Sequence, residues 1–159
     1  RLNTVFQQQP WTRNDWPVAL SGMPNDVDQQ WQSQIDLIKH NNTTPDHRFA
    51  DWSLFLISRL LDRKVPIAAG TDTPIGLGIP GYSLHTELEL LVAGGMTPTQ
   101  ALYAATVAPT HFFDNTDQIG QIKPGMTADL ILLNANPLDD ISNTRNIAAV
   151  MTGGTWIPR

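Results

Sequence analysis

Two groups of residues between Ile67 and Gly81 could do chemistry, and they indicate different kinds of protein. Asp72 follows a short apolar run, and (β/α)-barrel enzymes hold catalytic carboxylates just past such strands. A carboxylate there can ligate a metal ion or take a proton from a metal-bound water. Alternatively, Asp72 hydrogen-bonds backbone groups of Thr71 and Thr73 and only shapes the turn. Spacing alone leaves both interpretations open.

Gly76, Gly78 and Gly81 form the second group, with the GxGxxG spacing of a dinucleotide-binding loop. Several residues separate Gly76 from the predicted strand, although the phosphate-binding turn should begin at the strand end. Asp72 places a negative charge where phosphates would bind, and Pro80 removes one backbone N–H group. The sequence therefore favours an ordinary loop, and dinucleotide binding is the weakest alternative.

Apolar periodicity and turn residues predict the elements that must position this segment. The residues Thr97 to Gln100, "TPTQ", are a capping box with proline at the first helical position. The helix over 47–63 carries enough apolar residues, Trp52 among them, to be largely buried. The prediction is an irregular segment over 1–26, helices over about 27–38, 47–63, 84–93 and 97–108, and strands over 65–69, 130–133, 147–151 and 155–157.

Charge and composition exclude several classes of function. The net charge is −5, and the ten basic residues are scattered, so no electrostatic footprint for nucleic acid exists. No apolar run approaches the roughly 20 residues of a membrane span. Without cysteine there is neither a disulfide nor a thiolate zinc site, and the compartment stays open between cytoplasm and periplasm or exterior. Because the chain begins with Arg1, we expect a processed or truncated piece of a longer protein.

Three stretches occur in the order of a known family. They are "VPIAAGTDTP" from Val65, "GYSLHTELELLVAGGMTPTQALYAAT" from Gly81 and "IGQIKPGMTADLILLNANPLDDISNTRNIAAVMTGGTW", which ends at Trp156. Together they resemble the C-terminal part of the amidohydrolase superfamily, above all its imidazolonepropionase-like and prolidase-like members.

The resemblance implies an α/β fold. The chain would be the C-terminal segment of a metal-dependent hydrolase with a (β/α)8 TIM barrel, plus part of the composite β-sandwich. Residues 1–117 would be the last portion of the barrel, with its final strand and a catalytic loop over 73–83. Residues 118–159 would supply strands of the small β-sandwich.

The resemblance also implies a reaction. The parent protein would hydrolyse a C–N bond of a small-molecule amide, cyclic amide or dipeptide through metal-activated water, with zinc as the expected divalent metal. Asp72 would be a metal ligand and the catalytic proton acceptor, while Thr71, Thr73 and His85 would lie near the substrate. The alternative for His85 is a partly exposed residue in the first turn of its helix.

The chain departs from the family in its histidines. It has no His-x-His pair, and no spacing for a metal site with Asp72 can be read from His40, His47, His85 and His111. We therefore expect an incomplete metal site and an inactive fragment, which need not hold any metal. The alternative is a non-catalytic module or half of an assembly, because a partial barrel exposes strand edges and apolar faces that favour self-association.

Overall fold

The computed structural model describes residues 10–40, 48–74 and 77–157 of the chain. Within them lie helices that we number in chain order, three antiparallel strands and two 3-10 helices. The helices are α1 (Trp16–Leu20), α2 (Asn25–His40), α3 (Arg48–Asp62), α4 (Tyr82–Ala93), α5 (Pro98–Thr106) and α6 (Ala108–Phe112). The strands are β1 (Leu130–Leu133), β2 (Ile147–Thr152) and β3 (Thr155–Ile157), and the 3-10 helices are Pro10–Thr12 and Ile141–Arg145.

The chain divides into two compact units. Each unit consists of two stretches of sequence, and the stretches of the two units alternate along the chain. The first unit comprises residues 1–53 and 71–83, and the second comprises 54–70 and 84–159. Each unit has its own cluster of buried apolar side chains. None of the helices in the described ranges combines the length and apolar character that a membrane crossing needs.

The core of the first unit includes a helix that sequence periodicity does not predict. Trp16 and Leu20 of α1 are each 3% exposed and pack with Trp31 and Ile35 of α2. Pro17 stands in the first turn of α1, where its missing N–H group costs nothing. The expectation of an irregular segment over 1–26 is therefore wrong for α1, because five residues are too few to show a helical period.

The core of the second unit is built on α4 and α5, and sequence signals predict both helices. Thr97 accepts a hydrogen bond from the backbone of Gln100 (3.2 Å), and the Gln100 side chain accepts one from the Thr97 N–H (2.8 Å). This is the predicted capping box. Leu88 and Leu91 of α4 and Ala101 of α5 are buried in the same apolar cluster.

The sheet of the second unit has the order β1-β2-β3, with both pairings antiparallel. Leu130 pairs with Met151, and Thr152 pairs with Thr155 across the turn at Gly153 and Gly154. Both glycines have positive φ (52° and 80°), as a two-residue hairpin turn requires. The three predicted C-terminal strands are confirmed.

Helix α3 has the predicted position but not the predicted burial. Only Ala50 is classed as buried, whereas Trp52 and Phe55 are 54% and 60% exposed. The expectation of a largely buried helix is therefore wrong. The number of apolar residues indicates a helix face that is suited to burial, but it does not show that another part of this chain covers that face.

Residues 65–70 do not form the predicted strand. The segment lies outside any sheet of the described residues, and Ala69 N–H donates to the carbonyl of Ala104 at 2.8 Å. A strand exists only through hydrogen bonds to a neighbouring strand. The apolar run is present in the sequence, but no neighbouring strand among the described residues pairs with it.

Candidate active site

Asp72 lies just past this apolar segment, in an unusual backbone conformation. Its φ of 52° falls in the left-handed region, and its side chain is exposed. That region costs an L-residue roughly 1–2 kcal/mol, less for aspartate, whose short side chain can bond locally. Non-glycine residues held there occur preferentially at functional sites. The position therefore combines an accessible carboxylate with a constrained backbone.

Thr71 and Thr73 flank Asp72, and the structure brings their side chains together. Both are half-buried, and the Thr71 hydroxyl donates to the Thr73 hydroxyl at 3.4 Å. Within the described residues, no hydrogen bond joins the Asp72 carboxylate to the backbone of either threonine. The two threonines thus bond to each other, and the carboxylate between them stays available for chemistry.

The loop that follows is anchored by apolar side chains. Leu77 and Ile79 are 1% and 4% exposed and belong to the core cluster of the first unit. Gly81 has a φ of 77° directly before α4, whereas Gly76 lies outside the described residues. The loop over 73–83, which was expected to lie over a substrate, therefore contributes two side chains to the core of the first unit.

His85 lies in the first turn of α4, within the portion of the chain that forms the second unit. It is half-buried, and its Nδ1 lies 3.0 Å from the hydroxyl of Thr144 in the 3-10 helix. The expected alternative of a partly exposed helical residue describes its burial correctly. Sequence reasoning did not identify Thr144, because 59 positions separate it from His85.

One helical turn along α4, an ion pair joins the same two elements. Arg145 Nε donates to Glu89 Oε1 at 2.7 Å, and Arg145 Nη2 donates to the Thr86 hydroxyl at 2.8 Å. The side chains of Arg145 and Glu89 are 11% and 23% exposed, so water screens the pair only in part. Glu89 thus forms a structural ion pair with Arg145. It does not form an acid–base pair with Glu87, because residues two positions apart on a helix do not face each other.

The described residues do not by themselves fit a resident metal ion. A zinc or comparable site takes at least three protein ligands, and no three histidine, aspartate or glutamate side chains cluster for this purpose in the parts of the chain that the structure describes. Asp72 is accessible, His40 and His111 are exposed, and His47 lies outside the described ranges. The described ranges therefore contain Asp72 as a proposed ligand but no assembled metal site.

A cavity of about 380 Å³ in the second unit offers no alternative centre. No acid, lysine, arginine or histidine is among the residues that line it. Its lining therefore supplies no acid, base or metal-binding side chain for hydrolysis. Its lining consists of Leu61, Val65, Pro66, Ile67, Met96, Thr99, Gln100, Tyr103 and Ala108.

Two curated relatives are similar to part of this chain. Ochratoxinase from Aspergillus niger is 44% identical over 94 residues, which cover 58% of this chain and 18% of that protein. Imidazolonepropionase from Geobacillus kaustophilus is 38% identical over 77 residues, which cover 48% of this chain and 18% of that protein. The chain thus spans about a fifth of the length of the curated relatives it matches.

Solved structures and a family sequence profile agree with these relatives. A Xaa-Pro dipeptidase with methionine bound in its active site is 28% identical, with a TM-score of 0.59 over 67% of this chain and 25% of that chain. The profile of the amidohydrolase family matches residues 47–157, which is most of the chain and includes Asp72, His85 and Thr144. The resemblance seen in the sequence motifs is therefore confirmed: the chain belongs to the amidohydrolase family.

Proposed function

We propose that this chain is the C-terminal part of a longer hydrolase that cleaves a C–N bond in a small-molecule amide, cyclic amide or dipeptide. The relatives support the reaction class, since they include an imidazolonepropionase and a Xaa-Pro dipeptidase. Their small covered share supports a longer parent. Residues 1–117 would complete the barrel of that parent, and residues 118–159 would join its β-sandwich.

One observation carries the assignment of a catalytic residue. Asp72 is an exposed carboxylate with a φ of 52°, placed just past an apolar segment inside the family match. We propose it as a metal ligand and as the base that accepts the proton of the hydrolytic water. Thr71 and Thr73 would orient the substrate beside it, and His85 would contact the substrate from α4.

Members of the amidohydrolase family are generally metal-dependent. A divalent metal, zinc in our proposal, would act as a Lewis acid and lower the pKa of bound water. Because the described residues contain no group of three metal-binding side chains, the ligands besides Asp72 would come from other parts of the parent protein. The 159-residue chain alone would then be inactive.

Replacing Asp72 by asparagine in the full-length protein tests this proposal. Asparagine keeps the size and tolerates the left-handed backbone, so the change removes the charge alone. We expect turnover of the best substrate among Xaa-Pro dipeptides, N-acyl amino acids and cyclic amides to fall by about 10²-fold to 10⁴-fold, the usual contribution of a proton-transfer residue.

Asp114 provides a matched control for that experiment. It is also an exposed aspartate with positive φ (56°), but it lies after α6. The Asp114→Asn variant should turn over substrate at the wild-type rate. An Asp72→Asn variant that also keeps the wild-type rate would eliminate Asp72 as the catalytic carboxylate.

We also propose that the isolated chain associates with further copies. Trp52 and Phe55 are more than half exposed on α3, and so are the neighbouring residues Ile131 and Leu132 of β1. Neighbouring residues of a strand point to opposite faces of a sheet, so neither face is fully covered at β1. Exposed apolar surface of this kind favours association.

Sedimentation velocity tests the association. The wild-type chain should sediment as a species larger than its 17.6 kDa monomer, and a Trp52→Gln, Phe55→Gln double variant should shift towards the monomer. Asp62→Asn, on the same helix, should behave as wild type. A wild-type chain that sediments as a single monomeric species would contradict this second proposal.

A further inference from the structure

Residues 77–79, in the loop that follows Asp72, are packed into the core of the first unit. Leu77 and Ile79 belong to one apolar cluster with four side chains of α1 and α2. These are Trp16, Leu20, Trp31 and Ile35, each at most 5% exposed. The two helices and the loop therefore share one core, although α3 lies between them in the sequence.

Tyr82 attaches the end of the same loop to α1. Its hydroxyl donates a hydrogen bond to the carboxylate of Asp15, directly before α1, at 2.8 Å. Its ring forms a T-shaped pair with the indole of Trp16, with the ring centroids 5.9 Å apart. Aromatic pairs of this geometry contribute more than the area that they bury. The loop is therefore held on α1 at two places, through residues 77–79 and through Tyr82.

Leu77 adopts a backbone conformation that leucine normally avoids. Its φ is 59°, in the left-handed region, which makes it an outlier for a bulky residue. Among the non-glycine residues with positive φ in the described ranges, Leu77 alone is buried, at 1% exposed. Such a conformation persists only where the surrounding structure over-determines it, and residues of this kind cluster at functional sites. The packing of the Leu77 side chain in this core supplies that constraint.

We infer that Leu77 is a positioning residue for Asp72: by anchoring the loop in the core of α1 and α2, it limits the positions open to the Asp72 carboxylate. Asp72 belongs to the same compact unit and lies five positions earlier in the chain. A displacement of about 1 Å at a reacting group can lower a rate by about 10²-fold. The catalytic part of this inference rests on the proposed function.

The anchor can be tested in the 159-residue chain without any substrate. Hydrogen exchange of backbone amides reports how readily each helix opens. Leu77→Ala should lower the protection of α1 and α2 by at least about 10-fold, as expected when a buried leucine is truncated in a core, and should leave α5 as in the wild type. Unchanged protection of α1 and α2 in Leu77→Ala would overturn the inference.

Leu91 provides the matched control for that measurement. It is 3% exposed in the core of the second unit, so Leu91→Ala should lower the protection of α5 and leave α1 and α2 as they are. Leu77→Met keeps the apolar volume and should retain the wild-type protection of α1 and α2.

Kinetics of the full-length protein separate positioning from simple packing. Leu77→Ala should lower kcat by about 10-fold to 100-fold and change KM by less than about 3-fold, because substrate contacts remain while the carboxylate is misplaced. Leu77→Met should recover most of that loss, and Leu91→Ala should keep the wild-type kcat.

A double variant shows whether Leu77 acts through Asp72. In the Asp72→Asn background, Leu77→Ala should lower kcat by less than about 2-fold, because the group that it positions has already lost its function and coupled residues are not additive. A loss as large as in the wild-type background would make Leu77 a packing residue and overturn the positioning role.

The failures of the two proposals are distinguishable. An Asp72→Asn protein with the wild-type rate would eliminate Asp72 as the catalytic carboxylate and leave the exchange result intact. An active protein in which Leu77→Ala loosens α1 and α2 but keeps the wild-type kcat would overturn the role of Leu77 alone.

Discussion

Asp140 shows how a single side chain fixes the start of a structural element. Its carboxylate accepts a hydrogen bond from the Ser142 N–H at 2.8 Å and caps the 3-10 helix Ile141–Arg145. Hydrogen bonds from the side chain and then the backbone of Ser142 hold the pKa of Asp140 below its ordinary 3.8. The charged form is therefore the one that the folded chain favours.

This lowered pKa predicts a dependence of stability on pH. A carboxyl group with a lower pKa in the folded chain stabilises it above the unfolded pKa, and that contribution is lost as the pH falls through the folded pKa. The Asp140→Asn variant keeps a cap without the charge. Its urea midpoint should lie below that of the wild type at pH 7, and the difference should shrink below pH 3.8.

The neighbouring aspartate is the control for this experiment. Asp139 is exposed and does not cap the helix, so Asp139→Asn should leave the difference between the midpoints at pH 7 and pH 3 as it is in the wild type. An Asp140→Asn variant with an unchanged midpoint at every pH would show that the charge of the cap contributes nothing.

The sequence predicts capping residues when their hydrogen-bond partners are close along the chain. The cap at Asp140 and the capping box at Thr97 follow from neighbours two or three positions away. The contact of Thr144 with His85 could not be found in this way, because 59 positions separate the two residues. Asp72, Thr71 and Thr73 stay predicted site residues, whereas the left-handed backbone at Asp72 was not predicted.

At the scale of elements, local signals and packing differ in what they predict. The helices α4 and α5 and the C-terminal strands follow from periodicity and turn residues, and the structure confirms them. The helix α1 was missed because burial of Trp16 and Leu20 stabilises it rather than any period. Residues 65–70 lack a neighbouring strand within the described residues, so their apolar run has no ladder to join.

The ion pair between Arg145 and Glu89 makes a testable link between two elements. We expect a double-mutant cycle with Arg145→Ala and Glu89→Ala to give a coupling free energy of about 1–3 kcal/mol in urea unfolding, as for charged hydrogen bonds with restricted water access. Both single variants should also unfold at lower urea concentration, because each leaves a partly buried charge with fewer hydrogen bonds.

The same chain contains a pair for comparison. Arg59 and Asp62 lie 2.9 Å apart on α3, but their side chains are 52% and 59% exposed. The corresponding cycle should give a coupling below about 0.5 kcal/mol, because water and ions screen an exposed pair. Equal couplings for the two pairs would mean that burial does not strengthen the link between α4 and the 3-10 helix.

At the scale of the whole molecule, the open question is whether this chain suffices for a metal centre. The described residues contain no cluster of three candidate ligands, and a zinc site needs at least that many. We therefore expect elemental analysis of the purified 159-residue chain to find almost no zinc, manganese or iron per chain after dialysis.

The contrary result would also be informative. One tightly held metal ion per chain that disappears in Asp72→Ala and persists in Asp114→Ala would mean that the chain, or an assembly of its copies, completes a site around Asp72. In that case the proposal that the isolated chain is inactive would be wrong, and the residues outside the described ranges, His47 included, would be the first to replace.

The backbone at Asp72 narrows the choice of amino acid open to natural selection. A φ of 52° admits glycine, asparagine and aspartate most readily. A carboxylate function admits aspartate and glutamate. Aspartate satisfies both demands best, so the substitution usually regarded as conservative, aspartate to glutamate, should add main-chain strain of roughly 1–2 kcal/mol at this position.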